Sequence, residues 1–205
     1  MKSNIIEFNV EKFEYVKNSS DLNLDFIPSL VRRRLSSLDK AAFYTMNKCM
    51  DNDIEYVVFA SEYGEVERLV KIIEQYSTSD AVSPALFSGS VHNYPVGVFL
   101  LNSKKSVPYN AISAFHNSIS SGLLSCLISK YNKILFCYAD KKDDNFYSFS
   151  FVINKKLIKN SPKYILKYQN NGKIFDNFED YIKIFTKKSA NLKSYLFKLE
   201  RIDYE

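Results

Sequence analysis

Residues 108–130, PYNAISAFHNSISSGLLSCLISK, decide the fold that the sequence predicts. Residues 106–114 favour a β-strand, because β-branched and aromatic residues recur along them. Residues 116–130 predict an amphipathic helix, with apolar residues such as Leu123 and Leu127 returning at helical spacing. A strand that passes directly into a helix is the repeating unit of an α/β fold.

The same unit recurs on both sides of this stretch. Residues 55–60, EYVVFA, form a short apolar run that is typical of a buried parallel strand. Residues 65–76 predict a helix, and residues 133–139, KILFCYA, predict a further buried strand. The helix has one apolar face, made of Val66, Leu69, Val70 and Ile73. We therefore expect a mixed central sheet flanked by helices, with residues 56–60, 106–114 and 133–139 as inner strands.

The first part of the chain adds elements around this unit. Residues 5–16 alternate apolar and polar side chains and predict one or two strands. Ser36 followed by Asp39 three residues later is a capping-box pattern, and it predicts the start of a helix. Residues 86–101 predict a short helix.

The pattern changes after Asp140. A charged turn at residues 141–145 is followed by strict alternation over residues 147–153, which predicts a strand. Further strands are expected at 164–168 and 195–202, with a helix from 178 to 187 capped by Asn177. We therefore expect a single domain over residues 1–205, with an α/β core at 1–140 and a basic, β-rich extension at 141–205.

Charge is unevenly distributed along the chain. The whole sequence has 28 basic and 23 acidic residues, whereas residues 141–205 have 14 basic and 8 acidic residues. The lysines of this last part alternate with Tyr, Phe, Ile and Leu, as expected for strands with one solvated face. Nucleic-acid binding needs basic residues clustered with exposed aromatic side chains, so the composition argues against it.

The remaining composition excludes several other classes. Cys49, Cys126 and Cys137 lie in apolar surroundings and form no CxxC pair, which indicates buried free thiols in a reducing compartment. The two histidines show no metal-ligand spacing, so no metal site is expected. We see no secretory signal and no apolar run long enough for a membrane span, and we expect a cytoplasmic protein.

Two stretches carry a more specific resemblance. They are IP-xxx-RRRLS at residues 27–36 and SPALFSGSVHNYPVG at residues 83–97, with FASEYGE at residues 59–65 between them. Over about residues 28–140 the chain resembles the β-ketoacyl synthase-like amino-terminal domain family. The resemblance implies half of a thiolase-like fold. It also implies a chain-length-factor-like role beside aryl-polyene-type polyketide machinery.

The resemblance also suggests where an acyl group would lie. In a working ketosynthase, the strand that matches residues 108–114 leads to a catalytic cysteine at a helix start. Counted without gaps from Pro108, that position is His116, so the nucleophile is absent. The second half of a ketosynthase, with its two catalytic histidines, is absent too. The candidates for an acyl pocket are Phe87, Ser88, Ser90, His92, Asn93 and His116.

The arginine run at residues 32–34 is a second candidate site. Positive charge at a helix start opposes the helix dipole, so Arg32, Arg33 and Arg34 favour an acidic partner. A carrier-protein helix or its phosphopantetheine phosphate would suit. A solvated, basic helix entry without a partner is the simpler alternative.

Three function hypotheses remain open from the sequence. The first is a non-catalytic subunit that pairs with a ketosynthase, or with a second copy of itself, during chain elongation on an acyl carrier protein. The second is an acyltransferase or thioester hydrolase that uses His116 or His92. The third is a binding or structural protein that keeps the half fold. No cofactor is expected beyond the phosphopantetheine thioester as a ligand, and none of the three cysteines is expected to be acylated.

Overall fold

One mixed sheet organises the chain. The structure, a computed structural model, describes residues 5–19, 21–79, 81–169, 171–172 and 174–203. Its strands are β1 (Ile5–Lys17), β2 (Tyr56–Ala60), β3 (Tyr109–Ile112), β4 (Lys133–Lys142), β5 (Asn145–Asn154), β6 (Lys163–Tyr168), β7 (Asn191–Lys193) and β8 (Phe197–Ile202). Its helices are α1 (Ser29–Arg32), α2 (Ser37–Cys49), α3 (Val66–Ser79), α4 (Pro84–Gly89), α5 (Tyr94–Asn102), α6 (Ser118–Ile128) and α7 (Phe178–Phe185).

Across the described residues the strand order is β3-β2-β4-β5-β1-β6-β8-β7. Strands β3, β2 and β4 run parallel, and the remaining neighbours are antiparallel. The expected mixed α/β architecture is confirmed. The expectation that residues 106–114 form an inner strand is wrong, because β3 pairs only with β2 and lies at the edge of the sheet. Its first residues, Tyr109 and Asn110, are exposed, as an edge position allows.

Helices cover both faces of the sheet. On one face, α6 and α7 pack on Val58, Phe136 and other side chains of the sheet. On the other face, α2 and α5 pack on Val57, Leu135 and their neighbours. Successive residues of a strand point to opposite faces, so β2 and β4 are buried on both sides. This explains why their sequences are continuous apolar runs without alternation.

The residues after Asp140 belong to the same sheet. Strand β5 forms a hairpin with β4 and lies between β4 and β1. The Asn177 side chain accepts from the N–H of Glu179 and caps α7, as the sequence predicts. The division of the domain into a core and an extension at Asp140 stays a prediction, and the structure adds that both parts share one sheet.

Two helical expectations need correction. The single short helix expected over residues 86–101 is two helices, α4 and α5, separated by a turn at residues 90–93, because Pro95 begins a new helix. The apolar face of α3 is exposed rather than packed on the sheet. Val66, Leu69, Val70 and Ile73 are exposed, whereas Arg68 is the buried residue of this helix.

The contact between α6 and the sheet gives a stability prediction. A Cβ atom at Gly122 would lie 2.5 Å from Phe136 Cε2 and 3.0 Å from Ala60 Cβ. Both neighbours are fully buried. We expect Gly122→Ala to lower the free energy of unfolding by about 1–3 kcal/mol, because overpacking a dense core costs that much. If α6 did not approach the sheet so closely, replacing glycine by alanine in a helix would raise the free energy of unfolding by about 0.5–1 kcal/mol.

Urea denaturation of the two proteins measures this difference. Ser125→Ala, at a half-buried position of the same helix, is the matched control and should change stability little. A stabilised Gly122→Ala protein would show that α6 does not lie this close to the sheet.

Candidate functional site

The turn between β3 and α6 holds a strained residue at its apex. Phe115 has a φ of 52°, in the left-handed region that residues with a Cβ rarely occupy. The Ser118 hydroxyl braces this turn by donating to the carbonyl of Phe115 at 2.7 Å and accepting from the N–H of Ala114 at 3.0 Å. Such a strained strand-to-helix turn presents the nucleophile in α/β-hydrolases. Here the ring of Phe115 is 64% exposed and has no nucleophilic atom.

His116 follows the apex and contacts a carboxylate. Its Nδ1 atom lies 2.6 Å from Oε1 of Glu62. Among the described residues that oxygen has no well-aligned hydrogen bond, so the two groups lie close together without a directed bond. The gapless count from Pro108 places the nucleophile position at His116, whereas the strained backbone is one residue earlier. In the described part of the chain, no hydroxyl or thiol hydrogen-bonds to the His116 ring.

Glu62 is a residue that the sequence analysis missed. It is the second residue after β2, in a loop fixed by the buried carboxylate of Asp140. Asp140 accepts from the Ser61 hydroxyl at 2.8 Å and from the N–H groups of Glu62 at 2.6 Å and Tyr63 at 3.0 Å. The Asp140 carboxylate, near the end of β4, therefore orients the loop that follows β2, the neighbouring parallel strand. The signal in the sequence is an acidic residue that closely follows each of the two apolar runs, residues 55–60 and 133–139.

His92 supports the same turn from another side. Its Nε2 atom lies 3.0 Å from the carbonyl of Ile112, the last residue of β3. Asn93 donates weakly to the hydroxyl of Tyr109, at 3.4 Å. The structure therefore brings His92 and Asn93 to β3, which leads into the turn that carries His116. An acyl-pocket role for any of these residues stays a prediction.

The other pocket candidates lie on α4 and just after it. Phe87 and Ser88 are exposed, and Ser90 is half-buried. The Ser88 hydroxyl donates to the carbonyl of Ala85, and the Ser90 hydroxyl donates to the carbonyl of Phe87. Both hydroxyl groups therefore donate hydrogen bonds to backbone carbonyls of α4.

Comparison with known proteins identifies the family of this fold. The model of the β-ketoacyl synthase N-terminal domain matches residues 9–160, which is most of the chain. The chain belongs to this family. The match extends beyond residues 28–140, over which the sequence resemblance was traced. No protein with a curated description matches the chain.

A solved structure shows the same ketosynthase-like fold. It is a chain from the ketosynthase ApeO in complex with its chain length factor ApeC from Xenorhabdus doucetiae. It superposes with a TM-score of 0.77 at 15% identity, covering 96% of this chain and all of that chain. The tetronic acid condensing enzyme AbyA1 matches at a TM-score of 0.46 and 11% identity, covering 86% of this chain and 65% of its own.

The three thiols of this ketosynthase-family domain are buried and have raised pKa values. Cys49, Cys126 and Cys137 are free and buried. Burial raises the pKa of Cys49 to about 12 and that of Cys137 to about 11, and it raises the pKa of Cys126 further still. Because the thiolate is the nucleophile, these shifts disfavour reaction of the three cysteines at neutral pH.

The structure separates the three arginines of residues 32–34. Arg32 ends α1 and pairs with Asp25 at 2.6 Å, and the next two arginines are exposed. Arg32 and Arg33 line a groove beside α2, whereas the side chain of Arg34 does not. Among the described residues, no helix is long and apolar enough to cross a membrane, and no cluster of potential metal ligands occurs.

A buried ionic cluster joins the helices around this region. The guanidinium of Arg68 lies 2.6 Å from Asp39 and 3.3 Å from Glu65. It also donates to the carbonyls of Gly89 at 2.6 Å and Arg34 at 2.9 Å. The predicted capping box is present, with Ser36 and Asp39 bonding reciprocally, and the Ser36 hydroxyl also donates to Glu65 at 2.6 Å.

Two carboxyl groups share one cation in this cluster. Burial raises the pKa of Glu65 to about 7, and the neighbouring Asp39 carboxylate adds to the rise. Burial also raises the pKa of Asp39, although Arg68 opposes the shift. Oδ1 of Asp39 is buried and lacks a hydrogen-bond donor. A neutral Glu65 carboxyl has a proton that it can donate, whereas the ionised form can only accept.

The cluster predicts a pH dependence of stability. Unfolding lowers the pKa of Glu65 from about 7 to its ordinary value of 4.5. Between these values the folded state binds more protons, so the free energy of unfolding falls as pH rises. We expect Glu65 to contribute a fall on the order of 1–3 kcal/mol from pH 4.5 to pH 7, with little change above it.

Glu65→Gln keeps the neutral form and should flatten this dependence in urea titrations at pH 5 and pH 7.5. Glu74→Gln, on the exposed side of α3, is the control and should keep the dependence of the unmodified protein. Equal slopes for Glu65→Gln and the unmodified chain would contradict the assignment.

Proposed function

We propose that this chain is a non-catalytic, chain-length-factor-like subunit that pairs with a ketosynthase. The observation that carries the proposal is the turn after β3, which keeps a strained strand-to-helix geometry but has Phe115 at its apex. A condensing enzyme needs an accessible, activated thiol there. Every thiol of this chain is buried elsewhere with a raised pKa.

In this role the chain acts during acyl-chain elongation of the aryl-polyene type, on an acyl carrier protein. The pathway type follows from the sequence resemblance, and the similar fold found in a complex of a ketosynthase with its chain length factor supports the pairing. The phosphopantetheine thioester of the carrier protein is the ligand of the pair. Arg32, Arg33 and Arg34 supply positive charge for an acidic carrier.

Two surfaces support a partner. The carbonyls of Pro108 and Ile112 accept from Val57 in β2 and from Ser61 just after it, at 3.1 Å each, so the backbone groups of Tyr109 and Ala111 point away from the sheet. Of these groups, the N–H of Ala111 donates to Oδ1 of its neighbour Asn110 at 2.9 Å. An open edge of this kind invites pairing with another strand. The second surface is the exposed apolar face of α3, which Val66, Leu69, Val70, Ile73 and Tyr76 form. The ketosynthase is the occupant that we propose for both.

One observation favours a second candidate function. Glu62 beside Nδ1 of His116 resembles the carboxylate that orients a catalytic histidine. Such a pair could serve as a general base in an acyltransferase or thioester hydrolase. The missing hydroxyl or thiol beside His116 among the described residues places this candidate second.

The proposed pairing can be tested by co-expressing this chain with a ketosynthase from the same genome. We expect co-expressed proteins to elute as a 1:1 complex in size-exclusion chromatography with light scattering. Leu69→Lys should weaken the complex at least about tenfold in Kd, because a charge would be buried in an apolar contact. Leu157→Lys is the matched control, because both leucines are 50% exposed in the free chain.

The control should leave Kd unchanged, and circular dichroism should show both variants folded. A monomeric chain that never co-elutes with the ketosynthase would leave the free-standing binding or structural role as the remaining hypothesis. Equal loss of affinity in both variants would remove α3 from the interface.

A further inference from the structure

An open groove lies beside the start of α2, away from the turn at Phe115. Its volume is about 670 Å³, and its walls come from the segment after β1, from α1 and the residue that follows it, from α2 and from the start of β5. Arg32, Arg33 and Lys40 line it, together with Ser37, Leu24 and Phe146. The groove therefore combines cations, hydroxyl groups and apolar side chains.

The positive charge of the groove is largely uncompensated. Arg32 pairs with Asp25 at 2.6 Å, and that carboxylate is itself exposed. Within the described residues, neither Arg33 nor Lys40 forms an ion pair. Two cations that face one groove without a carboxylate favour an anion with several oxygen acceptors.

The position of the groove in the fold also favours an anionic ligand. Phe146 follows the turn between β4 and β5, so it lies at the carboxyl end of β4. Ser37 and Lys40 belong to the first turn of α2, whose cap Ser36 contacts Glu65 after β2. Ligands of open α/β sheets bind outside the carboxyl ends of the strands, where this groove lies. The positive end of the α2 dipole adds to the attraction for an anion.

We propose that this groove binds the phosphate of an organic phosphate ester, with an uncharged stem along Leu24 and Phe146. Arg33 and Lys40 hold the phosphate oxygens, and the Ser37 hydroxyl donates to them. The proposal deepens the proposed function, since the phosphopantetheine of a carrier protein is such an ester. The site belongs to this chain alone, however, and does not require the ketosynthase.

Isothermal titration calorimetry on the isolated chain tests the site with three probes. They are 4′-phosphopantetheine, pantetheine and inorganic phosphate. We expect 4′-phosphopantetheine to bind most tightly, pantetheine at least tenfold more weakly because it lacks the phosphate, and inorganic phosphate weakly because it lacks the stem. Affinity for 4′-phosphopantetheine should fall with added salt, as expected for charge pairing.

Variants separate a built site from general positive charge. Arg33→Gln and Lys40→Gln should each weaken 4′-phosphopantetheine binding at least fivefold. Lys48→Gln removes a charge from the last turn of the same helix, α2, outside the groove, and should change affinity less than twofold. Equal losses in Lys40→Gln and Lys48→Gln, equal binding of pantetheine and 4′-phosphopantetheine, or no binding of any probe would overturn the proposal.

A further arm identifies the source of the ester. Tighter binding of the holo form than of the apo form of a carrier protein, lost in Arg33→Gln, indicates a carrier-bound ester. If coenzyme A binds tightly and the holo and apo carrier proteins bind with equal affinity, the natural ligand is a free phosphate ester. Binding of 4′-phosphopantetheine by a chain that never pairs with a ketosynthase would leave the groove intact and reject the proposed function.

Discussion

The buried guanidinium of Arg68 is the constraint on which the helical layer around the site depends. It contacts Asp39 in α2, Glu65 before α3 and the carbonyl of Gly89 at the end of α4. It also lies over the ring of Tyr94 in α5, 4.7 Å from the centroid. Buried ion pairs of this kind contribute little net stability, but losing one partner leaves a costly buried charge. The cluster therefore fixes the relative positions of these helices and adds little to the net stability of the fold.

The orientation of α3 follows from this cluster. At about 100° per residue, Val66, Leu69, Val70 and Ile73 lie on the side of the helix opposite Arg68. Because Arg68 points into the protein, the apolar face points outward, where it is exposed. A helix with its charge buried and its apolar face open is unfavourable in an isolated chain. It becomes favourable when a partner covers that face, which links the cluster to the proposed role as a subunit.

Much of the fold could be predicted from local patterns in the sequence, and the relations between distant segments could not. The buried strands β2 and β4, the inward face of α6 and the capping box of Ser36 are encoded within a few residues each. The edge position of β3 depends on which strands pair. The outward face of α3 depends on Arg68 and Asp39, which are 29 residues apart. The contact of Glu62 with His116 depends on Asp140, 78 residues after Glu62, which fixes the loop.

The central claim of the proposed function is that the turn after β3, with Phe115 at its apex, presents no group that an acyl thioester can acylate. Intact-protein mass spectrometry after incubation with an acyl-carrier thioester tests this most directly, on the chain alone and together with its ketosynthase. We expect no stoichiometric acyl transfer to this chain in either sample, and acyl transfer to the ketosynthase. Stoichiometric acylation of the chain alone, at Cys49, Cys126, Cys137 or any other residue, would contradict it.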